Sequence, residues 1–270
     1  MRRWITWAVA WGAAGGWWVV EIPAAGTPAT VDVAKCQMAS QTFEAVNARL
    51  DSLSFLQYQV ERKTVSRGVT LVEKWTSICA SPDLLKIDYR QPERRVFMAD
   101  GKTFTEYLPA TRAALQIPMA GNNPLAQERI ASILQRLAVD GLRVGQYGKL
   151  LEHLASVDVT PGEFPVLTAE GRDPRYRIRI DLERKALLSF EKWDRKERLE
   201  KSIQAESFRE VAPGLWLPKK VRTVILEKHE LSEREITLSG IRVNFSISGK
   251  EMDFTLPEDV LIKPFDSISD

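Results

Sequence analysis

The stretch 92–118 constrains the fold more than any other part of the sequence. It contains three short strands, at 96–98, 104–108 and 113–117, separated by two turns. Asp100-Gly101 forms the first turn, because glycine, and to a lesser degree aspartate, adopts the positive φ that a tight hairpin needs. The pattern predicts a β-meander, and most of the chain repeats it around an apolar interior.

Length and charge narrow the classes of protein that fit. The 270 residues suffice for one large domain or two small ones. Lysine and arginine number 38 against 36 aspartates and glutamates, and no basic face is clustered. Nucleic-acid binding is therefore not indicated.

The N-terminus has the pattern of an export signal. Met1-Arg2-Arg3 is basic, residues 4–20 are apolar and uncharged, and Ala24-Ala25-Gly26 offers small residues for cleavage. We expect a signal peptide at 1–26, a linker at 27–34 and one domain at 35–270. An uncleaved inner-membrane anchor is the alternative, although the apolar run is short for a span.

The chain has two cysteines, Cys36 and Cys79. In an oxidising compartment, two cysteines suggest one disulfide. Such a bridge would stabilise the fold by about 4 kcal/mol and attach the first helix to the sheet. Two buried thiols are the alternative.

The first half of the chain predicts one helix followed by strands. Met38, Phe43, Val46 and Leu50 form an apolar stripe on a helix at 35–53. The strands expected before the meander lie at 56–64, 69–80 and 84–89.

The β-pattern breaks after Pro118. A helix is predicted at 125–139, with Ile130, Ile133, Leu134 and Leu137 on one side, and a second short helix at 148–157. Helices between runs of strands are expected to cover a sheet or to plug its mouth.

Strands resume at Tyr176, where apolar side chains alternate with Arg175, Arg177 and Arg179. The expected strands are 176–182, 187–193, 199–208, 220–227, 235–247 and 252–256, the second and third forming a hairpin.

A search for catalytic chemistry finds no convincing constellation. His153 and His229 each lack partners at metal-ligand spacing, no serine lies in a GxSxG motif, and no glycine-rich phosphate loop occurs. We therefore expect no catalytic residue, metal or cofactor, and no enzymatic activity.

The remaining feature on which a function could rest is the apolar surface of the predicted sheet and helices. Sheet and helices either complete an ordinary core or enclose a cavity for an apolar ligand. Burying an acyl chain returns about 0.8 kcal/mol per methylene, so sixteen carbons are worth about 12 kcal/mol. A carrier can use that energy with apolar walls alone.

The order of these segments resembles the LolA-type periplasmic lipoprotein carrier superfamily. The most specific part is the hairpin 99–104, which is similar to the family's Ser-Asp-Gly-Lys-Thr-Leu turn, followed by Tyr107 and Pro109. Pro82 and Gln91-Pro92 also match. The resemblance implies an α+β, mainly β fold: a curved antiparallel sheet forming an unclosed β-barrel, with an N-terminal helix and a helical lid over a hydrophobic cavity.

Carriers of this family place an arginine directly before the proline matched by Pro82, and here that residue is Ser81. The cargo-holding role of the arginine is therefore not carried over. Strand alternation nominates the following residues as cavity lining, although each fits an ordinary core equally well: Trp75, Leu85, Ile87, Tyr89, Phe104, Leu115 and Ile117 from the sheet, and Leu134 and Leu137 from the lid.

The first hypothesis is a monomeric periplasmic carrier that binds acyl chains of lipoproteins or lipids and moves them towards the outer membrane, with membrane transport partners on either side. The alternative is a lipid-sensing regulatory module on the same fold. An enzyme acting on a hydrophobic substrate is a third possibility without a candidate residue.

Overall fold

The computed structural model describes residues 33–51, 53–81, 84–119, 124–140, 142, 150, 153–227, 230–244, 252 and 254–264. The predicted signal peptide at 1–26 lies outside these residues, as does nearly all of the predicted linker. Helix α1 is Val33–Asp51 and helix α2 is Pro124–Leu137. The strands are β1 Leu56–Ser66, β2 Val69–Ser81, β3 Leu84–Gln91, β4 Arg95–Asp100, β5 Thr103–Leu108, β6 Ala113–Pro118, β7 Leu154–Thr160, β8 Val166–Arg172, β9 Arg175–Asp181, β10 Ala186–Trp193, β11 Leu199–Ala212, β12 Leu215–Glu227, β13 Glu230–Val243 and β14 Leu261–Pro264.

The fourteen strands of the described residues belong to one curved, unclosed sheet in the order β14-β6-β5-β4-β3-β2-β1-β13-β12-β11-β10-β9-β8-β7. Strands β1 to β6 form one meander and β7 to β13 form a second, and the antiparallel pair β1–β13 joins the two. Strand β14 is the exception, because it pairs with β6 in parallel. The mainly β, open-barrel fold class is therefore confirmed.

The hairpin predicted at Asp100-Gly101 forms as expected. Gly101 has a φ of 86°, which glycine adopts without steric cost. The Asp100 carboxylate accepts hydrogen bonds from the backbone N–H groups of Thr103 at 2.8 Å and Lys102 at 2.9 Å. These bonds hold the pKa of Asp100 below its usual value.

The core lies on the inner face of the sheet, and both helices cover it. Phe43 and Val46 of α1, together with Ile133 and Leu137 of α2, belong to one buried apolar cluster with the inner residues of both meanders. The first half of α1 covers the end of the sheet, where Ala39 contacts β7 and β8. The apolar stripe predicted for the first helix is thus the face that packs on the sheet.

A smaller cluster covers part of the outer face. Val96, Tyr107 and Ala114 are buried beneath Phe254 and the apolar residues that follow it. The segment continues into β14, so the end of the described chain covers β4–β6 and then extends the sheet at its edge.

Two expectations about segments were wrong, and one strand was not predicted. Residues 154–157, predicted to be helical, belong to strand β7, and strand β8 was not predicted. The leucines at 150, 151 and 154 have helical spacing, but the β-branched alternation that follows them belongs to a strand. Residues 254–256, expected in the last strand, are irregular and cover the outer cluster instead.

The predicted disulfide is not formed in the structure, where Cys36 and Cys79 are both half-buried thiols. Cys36 lies in the part of α1 that faces β7 and is close to Tyr176 of β9. Cys79 lies on β2, and seven strands separate β2 from β7 in the sheet order.

Candidate functional site

The structure brings most of the nominated lining residues together. Seven of the nine lie in the main buried cluster: Trp75, Ile87, Tyr89, Phe104, Leu115, Ile117 and Leu137. Leu85 is half-buried and packs against that cluster. These residues form one continuous inner surface, and their role in ligand binding stays a prediction.

Leu134 is a correction, because its side chain is 37% exposed and lies outside the buried cluster. The inward stripe of α2 consists instead of Ile130, Ile133 and Leu137. Leu134 has the right helical spacing but lies at the border of that stripe.

An ion pair is buried inside the sheet beside these apolar residues. Arg62 of β1 and Glu73 of β2 are cross-strand partners and are only 5% and 7% exposed. Arg62 donates from Nε to Glu73 Oε2 at 2.6 Å and from Nη2 to Glu73 Oε1 at 2.8 Å. The two-bond geometry of a guanidinium with a carboxylate is the strongest form of such a pair.

Two aromatic side chains complete this cluster. The Tyr89 hydroxyl donates to Glu73 Oε1 at 2.6 Å. Tyr89 stacks on Trp75 with ring centroids 6.0 Å apart, and the Arg62 guanidinium lies 5.0 Å from the centroid of the Trp75 ring. We call Arg62, Glu73, Trp75 and Tyr89 the inner ionic cluster.

The inner ionic cluster also holds α2. Arg62 Nη1 donates to the backbone carbonyl of Arg136 at 2.6 Å. That carbonyl lies in the last turn of α2, where carbonyl groups have no partner within the helix. The positive charge of Arg62 therefore caps the negative end of the helix.

The electrostatics of the cluster favour the ionised carboxylate. Burial alone would raise the pKa of Glu73, but the hydrogen bonds from Arg62 and Tyr89, together with the charges of Arg62 and Arg136, outweigh it and lower the pKa. Burial, followed by the hydrogen bond to Glu73, raises the pKa of Tyr89. The carboxylate is thus a fixed negative charge inside the protein.

A second charged contact attaches the middle of α2 to β5. Glu106 is 4% exposed and points inward, in a position opposite Leu115. Its Oε1 lies 3.3 Å from Arg95 Nη1, and its Oε2 lies 3.7 Å from Arg129 Nη2 of α2. One carboxylate therefore joins a strand and the helix.

A third contact lies just beyond the end of α2. Asp140 Oδ1 is 3.4 Å from Lys201 Nζ of β11, and the Thr223 hydroxyl of β12 donates to Asp140 Oδ2 at 3.2 Å. Together the three contacts run from β5 across β1 and β2 to β11 and β12. Helix α2 therefore crosses the inner face, with apolar side chains beneath it and polar contacts along its length.

The sequence reasoning missed Arg62, Glu73 and Glu106, although the signal for them was present. Arg62 has the same strand parity as Val60, Glu73 the same as Trp75, and Glu106 the same as Phe104. A charged residue in an apolar register predicts a buried, paired charge.

Two pockets lined by described residues lie away from this interior. One, of about 160 Å³, is on the outer face of β2–β3, beside Thr76, Lys86 and Asp88. The other, of about 370 Å³, is lined by polar residues of β7–β9, including Ser156 and Arg175. Neither contains a nominated lining residue.

Within the described ranges, no group of three or more His, Cys, Asp and Glu side chains is placed to hold a metal ion. Neither α1 nor α2 is long and apolar enough to cross a membrane.

Comparison with known proteins identifies related folds. No protein-family profile matches the sequence, and no curated protein matches it. A structure of a DUF1329 family protein from Desulfovibrio piger covers 81% of this chain and 97% of its own, with a TM-score of 0.50 and 13% identity. A LolA superfamily protein from Nitrosomonas europaea covers 81% and 97%, with a TM-score of 0.45 and 12% identity.

A third structure is a domain from Vibrio parahaemolyticus designated as a candidate outer membrane lipoprotein-sorting protein. It covers 81% of this chain and 95% of its own, with a TM-score of 0.44 and 14% identity. At these identities the likeness concerns the fold alone. The likeness to the first of these structures agrees with the mainly β, open-barrel fold that the resemblance implied.

Proposed function

We propose that this chain is an exported carrier that binds acyl chains of lipids or lipoproteins beneath helix α2 and moves them towards the outer membrane. The observation that carries the proposal is the way in which α2 is held. Its inward stripe covers the apolar face of an open sheet, while Arg62, Glu106 and the residues around Asp140 hold it by polar contacts.

Such an arrangement suits a lid. When the helix lifts, Glu106 separates from Arg129 and Arg62 separates from the Arg136 carbonyl. Water then hydrates the separated groups, so those contacts cost little to break. The apolar faces exposed beneath Ile133 and Leu137 cost more in water. An acyl chain removes that cost, because it covers the same surface at about 0.8 kcal/mol per methylene.

The proposal includes the location and the organisation of the chain. Residues 1–26 act as a signal peptide, 27–34 as a linker and 35–270 as one binding domain in the periplasm. The cargo is an acylated lipoprotein or a lipid, with membrane partners that load and unload it. The domain works as a monomer and without catalysis, since acyl-chain binding needs apolar walls and no reacting group.

Native mass spectrometry of the exported protein, with organic-solvent extraction of the same sample, tests this proposal. A carrier is expected to co-purify with a lipid or to accept one at one molecule per chain. A protein that carries no lipid and accepts none would show that the interior is an ordinary core and would overturn the proposal.

A further inference from the structure

Three neighbouring strand ends, of β1, β2 and β13, carry a group of exposed apolar side chains. Val69 is 68% exposed, Leu231 52%, Leu71 43% and Val65 37%. Val65, Val69 and Leu71 flank the turn between β1 and β2, and Leu231 is the second residue of β13. We call these four residues the apolar tip.

The apolar tip has two faces. Val69 pairs with Ser66 and Leu71 with Thr64, which places them on the inner face that also carries Glu73 and Trp75. Val65 and Leu231 have the opposite parity and lie on the outer face. A partner surface that covers one face leaves the apolar side chains of the other face in water, whereas a lipid phase surrounds both faces.

The backbone at the tip is paired on both sides of β1 but on one side of β2. Strand β1 pairs with β2 as far as Ser66–Val69 and with β13 at Ser66–Ser232, whereas the β3 partners of β2 begin at Lys74. The open edge of β2 at residues 69–73 needs hydrogen bonds from water, which restricts the tip to the interfacial region of a bilayer.

An ion pair fastens the two strand ends together. Arg67 Nε donates to Glu230 Oε2 at 2.7 Å, and Arg67 Nη2 donates to Glu230 Oε1. Residues 63–71 and 230–233 contain two basic and two acidic side chains, so the tip is neutral. The apolar side chains, rather than net charge, therefore dominate what the tip can bind.

The inner side of the tip continues into the candidate site. Leu71 is two residues from Glu73 on the same face of β2, and Glu73 belongs to the cluster that holds the end of α2. A bilayer at the tip would lie beside one end of the covered interior.

We propose that the apolar tip is a membrane-contact surface that inserts shallowly into a lipid bilayer. Arg67 in the turn and Glu230 at the start of β13 lie at the outermost end of the tip, where their pairing leaves no uncompensated charge. The contact goes beyond acyl-chain binding in the interior and does not depend on it, because the tip binds the bilayer surface itself.

A local probe tests the contact. A polarity-sensitive fluorescent amino acid in place of Val69, in the full chain, should shift to the blue with phosphatidylcholine vesicles and be quenched by spin-labelled lipid. The matched control replaces Val159 of β7, which is 41% exposed. An unshifted probe at position 69, or an equal shift at position 159, would overturn the proposal.

Substitutions at the tip provide a second test, because residues 1–32 are identical in every variant compared. V69D with L231D should lower the vesicle partition coefficient about tenfold or more, and V159D should leave it within about twofold. Unchanged partitioning of the tip variant would contradict membrane insertion. So would binding that requires anionic lipid and disappears in salt, since that result would assign the contact to basic groups.

The two proposals can fail separately. Tip insertion without fatty-acid binding would sustain the membrane contact and overturn the carrier. Fatty-acid binding by a chain whose tip probe stays in water would sustain the carrier and overturn the membrane contact.

Discussion

Arg62 and Glu73 face each other across the β1–β2 pair and are joined by two hydrogen bonds of 2.6 and 2.8 Å in the protein interior. The same guanidinium donates to the Arg136 carbonyl at the end of α2. A single buried arginine therefore links two strands of the sheet to the helix that covers it.

Breaking this pair on one side should destabilise the fold. E73Q leaves the Arg62 charge buried without its counter-ion, which is expected to cost about 3 kcal/mol in the free energy of unfolding. R62M with E73M should cost at least about 1 kcal/mol less than the sum of R62M and E73M, because the double variant leaves no buried charge unpaired. Urea unfolding of the wild type and the four variants measures these free energies, and single costs that simply add in the double variant would contradict the interaction.

Glu73 should also make stability depend on acid pH. Its folded pKa is lowered from an ordinary value of 4.5, so its contribution is present above that pH and is lost as the pH falls towards the folded pKa. The stability difference between wild type and E73Q should therefore shrink from about pH 7 to about pH 3.5. Unfolding free energies across that window check the trend, and a constant difference would refute it.

Leu134 and Leu137 of α2 form a matched pair for testing ligand retention. Leu137 is 3% exposed in the interior, whereas Leu134 is 37% exposed. L137E should abolish co-purification of lipid because it places a charge beneath the lid, and L134E should leave it unchanged. Mass spectrometry of extracted lipid measures the lipid content of both variants, and circular dichroism checks that the sheet remains folded. Equal loss in both variants would contradict the orientation of α2.

Gly171 tests the packing of the second meander. A Cβ at this position would lie 2.0 Å from the ring of Tyr176, which belongs to the main buried cluster. G171A should lower the free energy of unfolding by about 2 kcal/mol through overpacking. The control is G162A, where the nearest atom to an added Cβ is 3.9 Å away. An unchanged transition for G171A would show that Tyr176 moves without cost.

Local patterns predicted the first meander well. The dipeptide Asp100-Gly101 favours a hairpin turn by itself. The alternation of Ile87 and Tyr89 with charged residues determines which face of the strand is inside. Pairing of β1 with β13 was not predictable in this way, because it joins residues such as Val60 and Leu238 that no local signal connects.

The other features that the sequence did not predict are buried charges and an edge strand. Arg62 and Glu106 were not predicted as buried charges, because their pairing partners lie on other elements and cannot be recognised along a single strand. Leu154 has helical spacing to earlier leucines, yet pairing with Gly171 of β8 makes it part of an edge strand. Tertiary pairing outweighed local spacing there.

Titration with a polarity-sensitive fluorescent fatty acid tests the central claim most directly. The account predicts a saturable rise in emission at one probe per chain, reversed by an unlabelled sixteen-carbon fatty acid and absent in L137E. A signal that is missing, or that rises without saturation and equally in L137E, would contradict an acyl-chain site beneath α2.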